Sequence, residues 1–232
     1  MGIYAAFPVT GSLVGEFLDR IPQRYRLVEM NLNLTNPFVP GIHREWTSSQ
    51  RKNFLLDLAP DYPVLLQGYK SRTIRNLKKA MDALLVVDRK PDTAEIISLG
   101  KKKMKRLTNI GNRHFSRFSK LADYALGLQK ARKYGVCSSE GRLLAGAVFF
   151  LSPGQVFYLL VGNAREGREV GASHLLIDAF IRDHAGHPLV LDFEGSDLTG
   201  LAFFYNGFGA REVSYPFIRR NTLPLPARWL KG

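Results

Sequence analysis

The stretch Pro188-Leu189-Val190-Leu191-Asp192-Phe193-Glu194-Gly195-Ser196, continued from Asp197 to Ala210, decides how the rest of the chain is read. Its first part is a β-prone apolar run ended by glycine, which predicts a short buried strand. Its second part, Leu198 to Ala210, is aromatic and closes on Gly207 and Gly209, which predicts a brief helix. Alternate residues of a strand face the same way, so Val190, Asp192 and Glu194 share one face and Leu191 and Phe193 the other. Two carboxylates on so apolar a strand need a reason. Either they cap the following turn, or they point into a cleft that takes an amine or hydroxyl.

Upstream, Arg142 to Leu151 and Gln155 to Asn163 read as an antiparallel hairpin turning at Pro153-Gly154. The break at Ser152-Pro153-Gly154-Gln155 is also why the longest apolar run is not a membrane span. Between hairpin and helix lies Ala164 to Gly171, read as a glycine-punctuated loop, and then a helix from Ala172 to Ala185. The start of such a helix offers unpaired N–H groups and the positive end of the helix dipole. Gly171 lets a phosphate approach the backbone, Ala172 and Ser173 are small, and Arg168 adds a charged donor. A plain capped turn fits the same residues, and glycine loops alone are weak evidence.

Earlier still, Ser71 to Ala83 reads as a basic helix with Ile74, Leu77 and Met81 inward and Arg72, Arg75, Lys78 and Lys79 outward. Strands are predicted over Leu84 to Asp88 and Cys137 to Glu140, and helices over Thr93 to Leu107 and His114 to Lys133. The first 66 residues give a β-like opening, a helix from Leu13 to Ile21, strands over Tyr25 to Leu34 and Arg51 to Ala59, and a helix starting at Asp61. Glu212 to Arg220 closes the sheet, and the proline-rich tail reads as irregular.

The net charge of +13 is the one unusual total, concentrated around Lys70 to Lys79 and Lys101 to Lys120. Such a field attracts polyanions: nucleic acid, anionic membrane or a phosphorylated cofactor. A single cysteine, Cys137, excludes an internal disulfide framework and fits a reducing compartment. It carries no nucleophile signature. With no charged-then-apolar leader, a soluble cytoplasmic protein is expected. His43, His114, His174, His184 and His187 form no metal spacing, and Gly195-Ser196 lacks the pattern of a nucleophile elbow.

The element order of strand, two helices, three antiparallel strands, helix, strand, helix and strand resembles the GNAT acyltransferase superfamily. Arg168-x-x-Gly171-x-Ser173 is similar to that superfamily's pyrophosphate loop, with Ser173 departing from the usual glycine or alanine. Tyr69 to Ala80, Leu191-Asp192-Phe193-Glu194-Gly195 and Phe204-Tyr205-Asn206-Gly207-Phe208-Gly209 resemble motifs of its FemABX peptidyltransferase branch, over roughly Gln67 to Tyr215. Tyr205 stands where those peptidyltransferases usually carry lysine.

The resemblance implies an α/β GNAT fold, a mixed, mostly antiparallel sheet flanked by helices. It implies an acyltransferase domain over residues 67–232 and a partial GNAT-like subdomain over residues 1–66. It further implies acyl transfer from acetyl-CoA or another acyl-CoA to an amine by direct attack. Arg168, Gly171, Ala172 and Ser173 would hold the diphosphate, and the strand through Val161 would pair with the pantetheine arm. Tyr205 is the candidate acid, and Glu194 and Asp192 are candidates for the base or for binding a cationic acceptor. A core aromatic is an equally good account of Tyr205. Two alternatives stand beside this: a FemABX-type transferase using aminoacyl-tRNA, whose phosphates Arg72, Arg75, Lys78 and Lys79 would meet, with a cell-wall precursor as acceptor, and a non-catalytic binding module. No metal is implied, and the sequence leaves the acceptor and the oligomeric state open.

Overall fold

The computed structural model describes residues 2–38, 45–107, 111–195 and 197–229, with the side chains of 102–107, 228 and 229 left out. The turn read at Pro40-Gly41, His43, Ser196, and the charged ends of Lys102, Lys103, Lys105 and Arg106 therefore lie outside the described residues. In chain order the elements are α1 (Gly11–Asp19), β1 (Leu27–Asn31), β2 (Trp46–Asp57), α2 (Tyr62–Gln67), α3 (Ser71–Asp82), β3 (Val86–Asp88), α4 (Thr93–Leu107) and α5 (Asn112–Gly127). Then come β4 (Ala131–Cys137), β5 (Leu143–Ser152), β6 (Gln155–Asn163), α6 (Arg165–Glu169), α7 (Ala172–His184), β7 (Val190–Asp192), α8 (Thr199–Asn206), β8 (Arg211–Asn221) and α9 (Leu225–Trp229).

These group into two compact units. The first comprises Met1–Asn53, Gly195–Asp197 and Glu212–Gly232, so the last strand groups with the opening segment and not with residues 67 onward. Within it β8 lies between β1 and the first part of β2, with Leu27 opposite Asn221 and Asn31 opposite Phe217. Val14, Leu18, Leu32, Trp46 and Ile218 make its core. The buried Arg220 stacks its guanidinium over Trp46 and donates to the carbonyls of Ile21, Pro22 and Tyr25, which fixes the turn between α1 and β1. The opening residues form no strand, and the tail carries α9, which the proline content had hidden.

The second unit comprises Phe54–Glu194 and Leu198–Arg211. Its strand order is β2-β7-β6-β5-β4-β3, antiparallel throughout except for the parallel pair β6 and β7. The predicted hairpin is β5 and β6. β5 is covered on both faces, which is why it reads as a continuous apolar run. Ala145, Ala147 and Phe149 point to a core shared with α7, where Phe180 stacks on Phe149 at 3.8 Å. Val148 faces the other way, toward Ile96, Ile97, Phe115 and Ala122 of α4 and α5.

Several predicted boundaries move. α5 stops at Gly127, and Gln129, at φ 57, turns the chain so that β4 occupies Ala131–Cys137. The loop from Ala164 contains α6. β7 ends at Asp192, and Glu194 lies beyond it in a left-handed conformation (φ 61), so it does not share a strand face with Asp192. On α3 the buried face is Thr73, Leu77 and Ala80, whereas Ile74 and Met81 are exposed. α3 meets α7 through Asn76, which reaches both Gly171 and His174.

Gly171 sets that crossing. It caps α7 in the left-handed region (φ 79), and a Cβ there would overlap the carbonyl oxygen of Asn76 on α3. Gly171→Ala should destabilise the protein by about 3 kcal/mol, combining left-handed strain with forced separation of two helices. Urea denaturation checks this, and a change below about 0.5 kcal/mol would show that the contact does not govern the crossing.

Candidate active site

The site grows from the pairing of β6 with β7. Only Gln155, Val156 and Phe157 are paired, with Val190, Leu191 and Asp192. β6 then runs on to Asn163 along β5, while Phe193 donates its N–H to the carbonyl of Phe54 and follows β2. The two strands therefore part, leaving a wedge with one unpaired edge of β6 as a wall.

The wedge has aromatic walls. Tyr205 of α8 stacks on Phe193 (4.5 Å between ring centroids, 23° between planes), and Tyr158 meets both Phe193 and Tyr205 edge-on at 5.8 and 6.4 Å. A β-bulge places Tyr158 there. Val148 pairs with Leu160 and Phe149 with Tyr158, so Leu159 is an extra residue. Without it Tyr158 and Leu160 would share a face; with it Tyr158 packs in the α7 core and Leu160 against α4 and α5. Leu159 itself is 44% exposed.

Burial alone pushes the Tyr205 phenol up to about 12, and burial beside Tyr205 pushes that of Tyr158 well above its ordinary value. Both are protonated at neutral pH. Among the described residues, neither hydroxyl makes a hydrogen bond to another protein group. Tyr158 is the residue that sequence reasoning missed. The available signal was its place on the strand read as splayed, and the bulge that aims it has no mark in the sequence.

The two carboxylates have different surroundings. Asp192 is buried, its Oδ1 accepting from the Glu194 N–H at 2.7 Å and its Oδ2 from Gln155 Nε2 at 2.8 Å. It caps the turn after β7. Glu194 is exposed, and its carboxylate makes no ion pair or hydrogen bond among the described residues.

The residues read as a diphosphate loop lie at the turn from α6 into α7. Arg168 is exposed on α6, Gly171 faces Asn76, Ala172 is fully buried, and Ser173 Oγ donates to Asn163 Oδ1 at 2.6 Å. Gly162 and Gly167 answer packing needs too: a Cβ at either would stand 2.5 Å from Leu99 Cβ or the Leu144 carbonyl oxygen, respectively. Val161 is half-buried on β6, beneath Gly100 of α4. On their side-chain side, Gly171, Ala172 and Ser173 are thus engaged in packing and in the bond to Asn163.

A cleft does open at the start of α3, lined by Lys70, Arg72, Thr73, His174, Phe203, Phe204, Asn206 and Gly207 among others. Arg72 lies over the Phe203 ring at 5.1 Å. Arg75, Lys78 and Lys79 are exposed on the outward arc of the same helix. His174 packs edge-on to Phe204 and lies 3.3 Å by Nε2 from Asn76 Nδ2. Cys137 is half-buried, and burial with nearby Asp88 and Glu95 raises its thiol, the opposite of an activated nucleophile. Among the described residues no cluster of three His, Cys, Asp or Glu is disposed to hold a metal ion, and no helix is long and apolar enough to cross a membrane.

A central antiparallel hairpin, a parallel partner that parts from it and a helix on the inner face define the GNAT fold, and comparison with solved structures bears this out. The chain is similar to the crystal structure of FemX (TM-score 0.62, 13% identity, covering 98% of this chain and 84% of that one). It is also similar to L-PGS from Bacillus licheniformis (TM-score 0.55, 12% identity, 94% of this chain and 75% of that one). A conserved protein of unknown function from Bacteroides thetaiotaomicron VPI-5482 superposes too (TM-score 0.55, 7% identity, 92% and 68%). No family model matches the chain, and no curated protein matches it in sequence. The chain therefore has a GNAT-type fold in a FemX-like arrangement.

His174 supplies a test of the cleft's environment. Burial first, and then the Arg72 charge, lower it from an ordinary 6.5 to about 4. As pH falls, the unfolded chain takes up this proton before the folded one does. The neutral ring's contribution is complete above pH 6.5 and is lost between there and about 4. Compared with His174→Gln, the wild type should lose about 2 kcal/mol more stability across that window. Denaturation midpoints at a series of pH values measure it, and parallel curves would place the ring in water.

Proposed function

We propose that this protein is an acyltransferase that moves an acyl group from an activated donor to an amine, with the reacting carbonyl in the wedge between β6 and β7. The observation that carries this reading is the conjunction of parted strands and a buried, protonated Tyr205 at their junction. Attack on an acyl carbonyl needs a donor for the oxyanion and an acid for the leaving group. The bulge at Leu159 takes a backbone N–H out of the β5 ladder beside the wedge, which makes it the candidate oxyanion donor. Tyr205 gives its proton to the departing thiolate or alkoxide. Glu194 serves as the carboxylate for the incoming amine, and Asp192 as the group that holds the turn carrying Glu194.

The sequence motif favours acyl-CoA as donor. A second reading, an aminoacyl ester carried on tRNA, is favoured by the likeness to FemX along nearly the whole chain and by the basic arc of α3. Both donors undergo the same attack in the same wedge.

Tyr205→Phe keeps the stacked ring and removes the acid. It should lower kcat about 100-fold with little change in KM or thermal stability. Single-turnover acyl transfer, measured with acyl-CoA and with aminoacylated RNA, checks this. A variant within about threefold of wild type would remove Tyr205 from the chemistry.

A further inference from the structure

Thr73 stands at the third position of α3 and is only 2% exposed, yet it is polar and faces the cleft. Its hydroxyl makes no hydrogen bond among the described residues. The side chain is thus held in place by packing while its hydroxyl is presented to the cleft, ready to donate to a group bound there. Gly207 makes room for it: a Cβ there would lie 2.5 Å from Thr73 Oγ1.

The backbone around Thr73 is in the same state. α3 has no side-chain cap, and the N–H groups of Thr73 and Ile74 already bond to the carbonyl of Lys70. The Lys70 N–H bonds to the carbonyl of Gly207, leaving those of Ser71 and Arg72 unpaired among the described residues. The C-terminal end of α8 abuts this site and brings a partial negative charge of about half a unit. Lys70 and Arg72 bring two full positive charges, so the field of the cleft favours an anion.

We propose that this cleft is a phosphate-ester subsite. The Thr73 hydroxyl and the N–H groups of Ser71 and Arg72 bind phosphate oxygens, and Lys70 and Arg72 balance the charge. The ester's organic part lies against Phe203 and Phe204. Phe203 is exposed under the Arg72 guanidinium, a surface on which a flat ring stacks. The subsite would hold the handle of the acyl donor, and only that attribution rests on the acyl-transfer reading. Phosphate binding stands independently of it.

Calorimetric titration of the full chain with inorganic pyrophosphate at low salt tests the proposal. Saturable one-to-one binding is expected, weakened about tenfold by Thr73→Val and by Arg72→Ala, and kept within about twofold by Thr73→Ser. Thr73→Val and Thr73→Ser have the same charge, so a loss confined to valine cannot come from the general basic field. Should Thr73→Val fail to fold, the exposed Arg72→Ala and the conservative serine variant still decide the matter. Displacement of pyrophosphate by coenzyme A or by a short single-stranded oligoribonucleotide supports the subsite and identifies its source. Binding that is indifferent to Thr73→Val, weakened only by Arg168→Ala, not saturable, or displaced by neither competitor overturns it. Because no turnover is needed, the subsite can fail while acyl transfer by Tyr205 stands, and the reverse.

Discussion

The parting of β6 from β7 is the constraint on which the rest of the second unit depends. A parallel pair of three residues is held at its start by the hydrogen bonds of Gln155 to Phe157, and then each strand is claimed by a different neighbour. Phe193 goes to Phe54 of β2, while β6 stays with β5. Unpaired backbone in an apolar surrounding is costly, so such a wedge persists only where something else meets its polar groups. That condition separates a functional opening from a packing defect. Where the strands part, Tyr158, Phe193 and Tyr205 pack on one another.

The bulge at Leu159 and the cap by Asp192 support that arrangement from opposite sides. One extra residue turns Tyr158 inward while β6 still completes its pairing with β5. Asp192, gripping both the Glu194 N–H and the Gln155 amide, ends β7 at a fixed point and ties it to the first residue of β6. Two acidic residues only two positions apart therefore have unlike surroundings, Asp192 buried with both oxygens bonded and Glu194 exposed beyond the strand.

Much of this was legible in the sequence, because hydrophobic period and turn residues report local geometry directly. The β5–β6 hairpin, α4, α7 and the helix after β7 stand close to where pattern and glycines put them. What failed has a common cause. Apolar spacing named Ile74 and Met81 as the inner face of α3, but the helix turns Thr73, Leu77 and Ala80 inward, with Thr73 seated beside Gly207. Gly171 was read for its openness to a ligand, and its lack of a side chain also admits the Asn76 carbonyl of α3. A glycine says that something comes close, not what. Tyr158 escaped notice because a bulge changes which face a residue takes without changing its identity.

The starts of α7 and α3 stand in unlike surroundings. Where α3 lies against α7, Gly171 and Ala172 are buried. The start of α3 offers a different setting. The amides are uncovered, a buried hydroxyl lies among them, and two cations stand at the rim. The exposed Arg75, Lys78 and Lys79 farther along α3 are individually worth little in salt water, yet they add to the positive field around the cleft.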